Sequence, residues 1–136
     1  MATMLDHINK TMKRHIITLE DPIEFVYKNN KSLIHQRELG KHFDSFANGI
    51  KSILREDPDV IVIGEMRDLE TMEAAITLAE TGHLVFSTLH TNDTVQTIDR
   101  VLQSFSPDKQ NQIRMQFGLA MRAIISQILL PKKDGS

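Results

Sequence analysis

The chain has 136 residues, no cysteine and a formal net charge of −2 at pH 7. A length of this order allows one domain or part of one, and the lack of cysteine excludes a disulfide framework and thiolate metal sites. The near-neutral charge disfavours nucleic acid as the main partner. No apolar run approaches the ~20 residues that span a membrane. The composition therefore indicates an ordinary soluble globular protein.

Hydrophobic periodicity and turn residues divide the chain into alternating helices and short apolar strands. In chain order, the predicted elements are a helix over residues 1–12, a strand over 15–19, an extended segment over 23–27, a hairpin turn over 28–32, a strand over 33–35, helices and strands in turn over 46–54, 60–63, 69–79 and 83–88, a helix over 95–102, and a last helix from 107 towards 130. Caps are predicted at Ser45 or Asp44, at Asp68 and at Ser106. This alternation predicts an α/β three-layer fold with a mostly parallel sheet.

The segment 57–68, DPDVIVIGEMRD, contains the strongest strand signal. Four consecutive branched apolar residues without alternation are typical of a parallel strand that is buried on both faces. Glu65 follows where this strand is expected to emerge. In open α/β sheets ligands bind outside the carboxyl ends of the strands, so an acid there can support magnesium or orient an attacking water.

Two other predicted strands also end in polar residues. The strand over 15–19 is followed by Glu20 and Asp21, and the strand over 83–88 ends at Thr88, with His90 close behind. We expect these residues to meet Glu65 along one edge of the sheet, because the carboxyl ends of parallel strands lie together. Acids clustered there repel each other unless a cation is shared, which favours a magnesium–phosphate site.

Each candidate also has a structural interpretation. Glu65 is as well explained by an ion pair with Arg67 or by helix capping, and Asp21 before proline is typical of a turn. A lone histidine such as His83 or His90 is more often a structural hydrogen-bonding residue than a ligand. No HExxH pattern occurs in the sequence, so zinc ranks low.

Several segments together resemble one family, the ATPases that power type II secretion and type IV pili. The segments are ITLEDPIEFVY (17–27), similar to the aspartate box; DPDVIVIGEMRD, similar to the Walker B box; TGHLVFSTLHTND (81–93), similar to the histidine box; and HQRELG (35–40) and ISQILLPKKDG (125–135). They occur in the family's order and cover nearly the whole chain. HQRELG favours the branch that retracts pili in twitching motility.

The resemblance implies a RecA-like motor domain in a hexameric ring that hydrolyses ATP with Mg²⁺. Glu20 then corresponds to the acid that activates water, Glu65 to the Walker B acid that supports Mg²⁺ through water, and His90 to a sensor of the γ-phosphate. The further nucleotide-binding candidates are Asp21, Arg67, His83 and Thr88. Arg37, Arg55 or Arg67 is the candidate for a residue that acts on a neighbouring subunit.

The resemblance also implies partners and a location. The expected partners are ATP, other copies of the subunit and a pilus platform protein of the inner membrane. Neither nucleic acid nor a transmembrane segment is expected. The expected location is cytoplasmic, peripheral to the inner membrane.

One motif of the family is missing. The P-loop GxxxxGK[ST], which cradles phosphates, occurs nowhere in the sequence. We therefore expect residues 1–131 to form a partial motor domain, with a disordered tail at 132–136 and no appreciable hydrolysis by the chain alone. Two alternatives are a non-catalytic binding module that docks on intact motor subunits, and a gene fragment without a function of its own.

Overall fold

The computed structural model describes residues 1–127. Its helices and strands alternate along the chain as α1 Ala2–Thr11, β1 His15–Glu20, β2 Leu33–Glu38, α2 Phe46–Ile53, a 3₁₀ turn Leu54–Glu56, β3 Val60–Ile63, α3 Leu69–Glu80, β4 Leu84–Ser87, α4 Thr94–Gln103 and α5 Pro107–Ala120. The chain divides into two compact units. The first, Met1–Thr88, contains the sheet, and the second begins at Leu89 and contains α4 and α5.

The sheet has four strands in the order β2-β1-β3-β4, and every neighbouring pair is parallel. Leu19 of β1 is level with Ile63 of β3, which is level with Ser87 of β4. The carboxyl ends of these three strands therefore lie together at one edge. The prediction of an α/β fold with a parallel sheet is confirmed.

The apolar run of β3 packs on both of its faces, as its lack of alternation predicted. On one face Ile61 and Ile63 join a cluster with residues of β1, α2 and α3. On the other face Val60 and Val62 pack with Leu5 and other residues of α1. Burial of one such side chain contributes roughly 1.5–3 kcal/mol, so the two clusters fix the sheet between its helices.

The predicted hairpin between residues 23–27 and 33–35 is wrong. Residues 23–27 form no strand, and β2 runs parallel to β1, with His15 level with Leu33. A parallel connection needs a crossover of about a dozen residues or more. The segment 21–32 is long enough to carry the chain back to the start of the sheet, so its polar residues form a crossover rather than a tight turn.

The helix starts follow the predicted caps. Ser45 accepts a hydrogen bond from the Asn48 amide at 3.3 Å, and Asp68 accepts one from the Thr71 amide at 2.8 Å. Ser106 precedes α5 without a side-chain cap, and Pro107 occupies the first helical turn.

The last helix is shorter than predicted. It ends at Ala120, where Met121 adopts extended backbone, and residues 121–127 are not helical. Gly118 lies in the final turn and disfavours the helical conformation by about 1 kcal/mol relative to alanine. The helical spacing of apolar residues beyond Ala120 does not offset this low helix propensity. The predicted end near residue 130 and the predicted disordered tail lie outside the described residues.

Across residues 1–127, no helix combines the length and the apolar character that crossing a membrane requires.

Candidate active site

Three polar residues lie at the carboxyl edge of the sheet in the first unit. Glu20 is the last residue of β1, Thr88 follows β4 directly, and Glu65 comes two residues after β3. The Thr88 hydroxyl donates to the Gly64 carbonyl at 2.5 Å, and the Met66 amide donates to the Thr88 carbonyl at 3.1 Å. The turn that carries Glu65 is thus attached to the end of β4.

Gly64 brings the same turn against the end of β1. Its amide donates to the Leu19 carbonyl at 2.8 Å. A Cβ atom added at Gly64 would lie 3.2 Å from that carbonyl oxygen and 3.5 Å from the Glu20 Cα. Since this is closer than most Cβ atoms approach backbone oxygen, glycine is what allows the two acidic strand ends to come together.

Glu65 is 9% exposed, and its carboxylate forms an ion pair with Arg67. The Arg67 side chain is 69% exposed. The structure therefore contains the ion pair with Arg67 that the structural interpretation of Glu65 predicted. Because the Arg67 side chain is mostly in solvent, this ion pair contributes little to the stability of the fold, and a cation bound at Glu65 can compete with Arg67.

The Glu20 carboxylate is held by two neutral donors. The Thr18 hydroxyl donates to Oε1 at 2.6 Å, and the Gln36 side-chain amide donates to the same oxygen at 3.0 Å. Sequence analysis missed both donors. Thr18 gave a weak signal, because it is a polar residue in an apolar strand, two positions before Glu20 and thus on the same face.

Tyr27 also lies within electrostatic reach of Glu20. Burial, together with the nearby Glu20 and Asp6 carboxylates, raises the pKa of the Tyr27 hydroxyl above its ordinary value of 10.0. The crossover segment that carries Tyr27 therefore packs beside the candidate site.

Asp21 is exposed directly after β1, and the peptide bond between Asp21 and Pro22 is cis. His83 lies at the amino end of β4, the opposite end of that strand from Thr88. Its Nδ1 atom is 3.0 Å from the Leu78 carbonyl and 3.1 Å from the Thr81 hydroxyl. In this chain, His83 thus makes contacts that close the end of α3.

His90 belongs to the second unit, where the Arg100 guanidinium donates to its carbonyl at 3.4 Å. Its approach to Glu20 and Glu65 stays a prediction. Of the other arginine candidates, Arg37 donates to the Ser52 hydroxyl at 3.1 Å and pairs with Glu56, and Arg55 is exposed.

The oxygen atoms at this edge suit a hard cation. Carboxylate and hydroxyl oxygens are the ligands that Mg²⁺ prefers, and it is usually bound through one or two carboxylates together with waters and phosphates. Over residues 1–127, no three His, Cys, Asp or Glu side chains converge as a complete metal cage. Glu65, which the resemblance predicts to support Mg²⁺ through water, offers one such carboxylate at this edge, and its binding of the ion stays a prediction.

Comparisons with known proteins point to one family. The model of the family described as Type II/IV secretion system protein matches residues 1–135. The chain is 52% identical over 136 residues to a twitching motility protein of Neisseria gonorrhoeae, covering 100% of this chain and 36% of that protein. It is 48% identical over 135 residues to the type IV pilus retractation ATPase PilT of Pseudomonas aeruginosa, covering 99% of this chain and 39% of that protein.

Solved structures agree with this result. The pilus retraction motor PilT, crystallised with bound ADP, superposes with a TM-score of 0.95 at 54% identity over 98% of this chain and 39% of that one. The Legionella pneumophila ATPase DotB superposes with a TM-score of 0.93 at 35% identity over 98% of this chain and 38% of that one. The chain thus spans well under half the length of the relatives that it matches, and the likeness extends over its whole fold.

Proposed function

The chain belongs to the type II/IV secretion system protein family, and on this premise we propose that it is the part of an ATPase motor subunit that carries the two catalytic carboxylates. The relatives named above include a twitching motility protein and a pilus retraction ATPase. The proposed activity is hydrolysis of ATP that drives pilus retraction. The proposed assembly is a hexameric ring, cytoplasmic and peripheral to the inner membrane, that acts on a platform protein there.

The observation that carries the proposal is the pair of acids at adjoining strand ends. Glu20 ends β1 and Glu65 follows β3, and Gly64 brings the two chain segments into contact. In the proposed reaction the oxygen of a water molecule attacks the γ-phosphorus of ATP and ADP leaves. Glu20 orients this water and accepts its proton.

Glu65 holds a water ligand of Mg²⁺ in this proposal. The ion, when bound with the nucleotide, neutralises charge on the β- and γ-phosphates. His90 donates a hydrogen bond to the γ-phosphate, and the remaining nucleotide contacts come from the predicted set of Asp21, Arg67, His83 and Thr88. Because His83 lies at the far end of β4, its contact requires a nucleotide held by another copy of the subunit.

We also propose that the 136-residue chain by itself does not hydrolyse ATP. The sequence contains no P-loop, so it lacks the backbone amides, the lysine and the hydroxyl that cradle phosphates in motors of this class. Glu20 and Glu65 then act only where another segment supplies that loop.

Phosphate release with Mg²⁺ and ATP tests the proposal in two samples, the 136-residue chain and a longer subunit that contains it. We expect turnover by the longer subunit and none by the chain. Glu20→Gln in the longer subunit should lower kcat by at least about 100-fold, because a general base is lost. The matched control is Glu73→Gln, since Glu73 is exposed on α3.

Two results would contradict the proposal. Hydrolysis by the isolated chain at the rate of the longer subunit would show that the P-loop is not needed. An unchanged kcat in Glu20→Gln would remove Glu20 from the reaction.

A second candidate function is a binding module that docks on intact subunits. Among the described residues, β2 and β4 each pair with another strand on one side only, and Leu84 on β4 is exposed. Unpaired strand edges are templates for association. Light scattering of the chain mixed with a longer subunit tests this function: a complex supports it, and two separate species at high concentration oppose it.

A further inference from the structure

We infer that Gln36 is a positioning residue for the Glu20 carboxylate and that it couples this carboxylate to the backbone of residues 25–27, which belong to the crossover segment 21–32. The inference rests on the proposed role of Glu20 in activating water. It assigns a role to Gln36, a polar side chain of β2.

The first half of the inference concerns the carboxylate. Gln36 lies level with Thr18 on the neighbouring strand, and its side chain reaches two positions further to donate to Glu20 Oε1 at 3.0 Å. The buried Thr18 hydroxyl donates to the same oxygen at 2.6 Å. Two donors on one oxygen fix the orientation of the carboxylate, so Oε2 can accept a hydrogen bond from water.

The second half concerns the crossover segment. The Gln36 amide nitrogen also donates to the Phe25 carbonyl at 2.7 Å, and its oxygen accepts from the Tyr27 amide at 2.8 Å. This segment forms no strand, so a side chain takes the place of a backbone ladder in attaching it to β2. All three contacts involve the planar side-chain amide of Gln36. A shift of the segment that turns this amide therefore also disturbs its hydrogen bond to Glu20.

The segment is placed to respond to contact from outside. Phe25 is 60% exposed and Val26 is 86% exposed, so the residues beside the attached backbone groups present apolar surface to solvent. The Gln36 side chain, which contacts both the Phe25 carbonyl and Glu20, transmits a shift of this surface to the carboxylate. Gln36 therefore ties the orientation of the water-activating carboxylate to the position of the segment.

Glutamine fits this role for a chemical reason. The role needs two N–H donors and one acceptor at the end of a side chain long enough to reach Glu20. Leucine has a similar size but offers no polar atom, and glutamate would place a second negative charge beside Glu20. Gln36→Leu therefore removes the contacts with little change in volume, while Thr18→Val removes one donor to Glu20 and leaves the crossover contacts in place.

The kinetic test uses a longer subunit that contains this chain. We expect Gln36→Leu and Thr18→Val each to lower kcat by about 10-fold, with KM for ATP within about twofold, because a misplaced base slows the chemical step and not binding. Gln103→Leu is the matched control, since Gln103 is exposed on α4, and it should leave both constants unchanged.

A double variant separates positioning from general destabilisation. In a Glu20→Gln background, Gln36→Leu should lower kcat no further, because the group that it positions is already lost. A further 10-fold fall, or a rise in KM without a fall in kcat, would overturn the inference. If the unmodified subunit hydrolyses no ATP, it is the proposed function that fails.

A spectroscopic test uses the 136-residue chain itself and needs no hydrolysis. The side-chain amide ¹H–¹⁵N NMR signals of Gln36 should shift in Glu20→Gln and in Thr18→Val. Backbone amide exchange at residues 25–27 should become faster in Gln36→Leu and stay unchanged in Thr18→Val. Gln36 signals that ignore Glu20→Gln, or a crossover segment unaffected by Gln36→Leu, would overturn the inference.

Discussion

At the scale of single residues, the two acids of the sheet edge differ in what surrounds them. Glu20 accepts hydrogen bonds from neutral donors, and Glu65 is paired with a cation that is mostly in solvent. Neutral donors fix the orientation of a carboxylate without cancelling its charge, whereas an exposed cation can be displaced. This difference matches the proposed division of labour, in which Glu20 orients water and Glu65 supports magnesium.

Gly64→Ala is expected to destabilise the first unit by about 1–3 kcal/mol, because the added Cβ forces the ends of β1 and β3 apart. The atom that it meets is backbone, 3.2 Å away. Urea unfolding followed by the fluorescence of Tyr27, the single tyrosine of a chain without tryptophan, measures the effect. Gly118→Ala is the control: its Cβ would meet nothing within 4 Å and alanine favours the helix, so this variant should not lower the stability. Equal stability of Gly64→Ala and wild type would contradict the close approach.

Asp59 makes part of the stability depend on pH. A hydrogen bond from the His15 amide, followed by the contact with Arg14, holds the pKa of the Asp59 carboxyl below its ordinary value of 3.8. A lowered folded-state pKa means that its contribution is complete above the ordinary value and is lost as the pH falls through the folded-state value.

Asp59→Asn should therefore cost less than about 1 kcal/mol at pH 7, since the ion pair is exposed, and should weaken the loss of stability below about pH 4. Urea unfolding at a series of pH values between about 5 and 3 measures both effects. An acid limb parallel to that of wild type would show that Asp59 carries none of this pH dependence.

At the scale of elements, the turn that carries Glu65 lies between β3 and α3, and the start of α3 holds it in place. After β3 the chain turns at Gly64 and enters α3, which Asp68 caps with hydrogen bonds to the Thr71 amide and hydroxyl, both at 2.8 Å. Because Thr71 is fully buried, the cap also satisfies a polar group that has no access to water. The cap of α3 thus stabilises the turn that carries Glu65.

Asp68→Ala is expected to destabilise the first unit by about 1–2 kcal/mol through the loss of both bonds. Asp68→Ser is the matched control, because serine still caps the Thr71 amide, and it should recover most of the loss. Circular dichroism during urea unfolding compares the three proteins. Indistinguishable curves for alanine and serine would mean that the cap contributes nothing.

At the scale of the whole molecule, the candidate residues are divided between two compact units. Glu20, Glu65 and Thr88 belong to the first unit, and His90 belongs to the second. The chain also spans 36% and 39% of the two pilus-motor relatives that it matches. The proposed nucleotide contacts therefore include His90 of the second unit in addition to the residues at the sheet edge.

MgATP at about 5 mM is expected to stabilise the isolated chain by less than about 0.4 kcal/mol, which corresponds to a Kd no tighter than that concentration. The reason is that no P-loop is present to bind the phosphates. Thermal unfolding with and without MgATP measures the effect, and magnesium with inorganic phosphate is the control for ionic strength. A stabilisation of several kcal/mol specific to ATP would show a phosphate site built without that loop.

The sequence by itself determined the features that depend on neighbouring residues. The unalternated apolar run predicted that β3 is buried on both faces, and Ser45 and Asp68 were predicted as caps that the structure confirms. The acids after β1 and β3 were found because a strand end and the residue that follows it are adjacent in the chain. The family was also recognisable, since its motifs are short segments of sequence.

The tertiary structure alone decided the features that join distant residues. Thr18 and Gln36 meet because β2 lies parallel to β1, which the polar crossover did not reveal, and β2 was predicted as part of a hairpin. Gly64 is required by the approach of β1, and His83 lies at the far end of β4 from Thr88. Strand order and direction depend on where the chain returns to the sheet, which is set by burial of both sheet faces at once. A local pattern of residues therefore does not predict the order and direction of the strands.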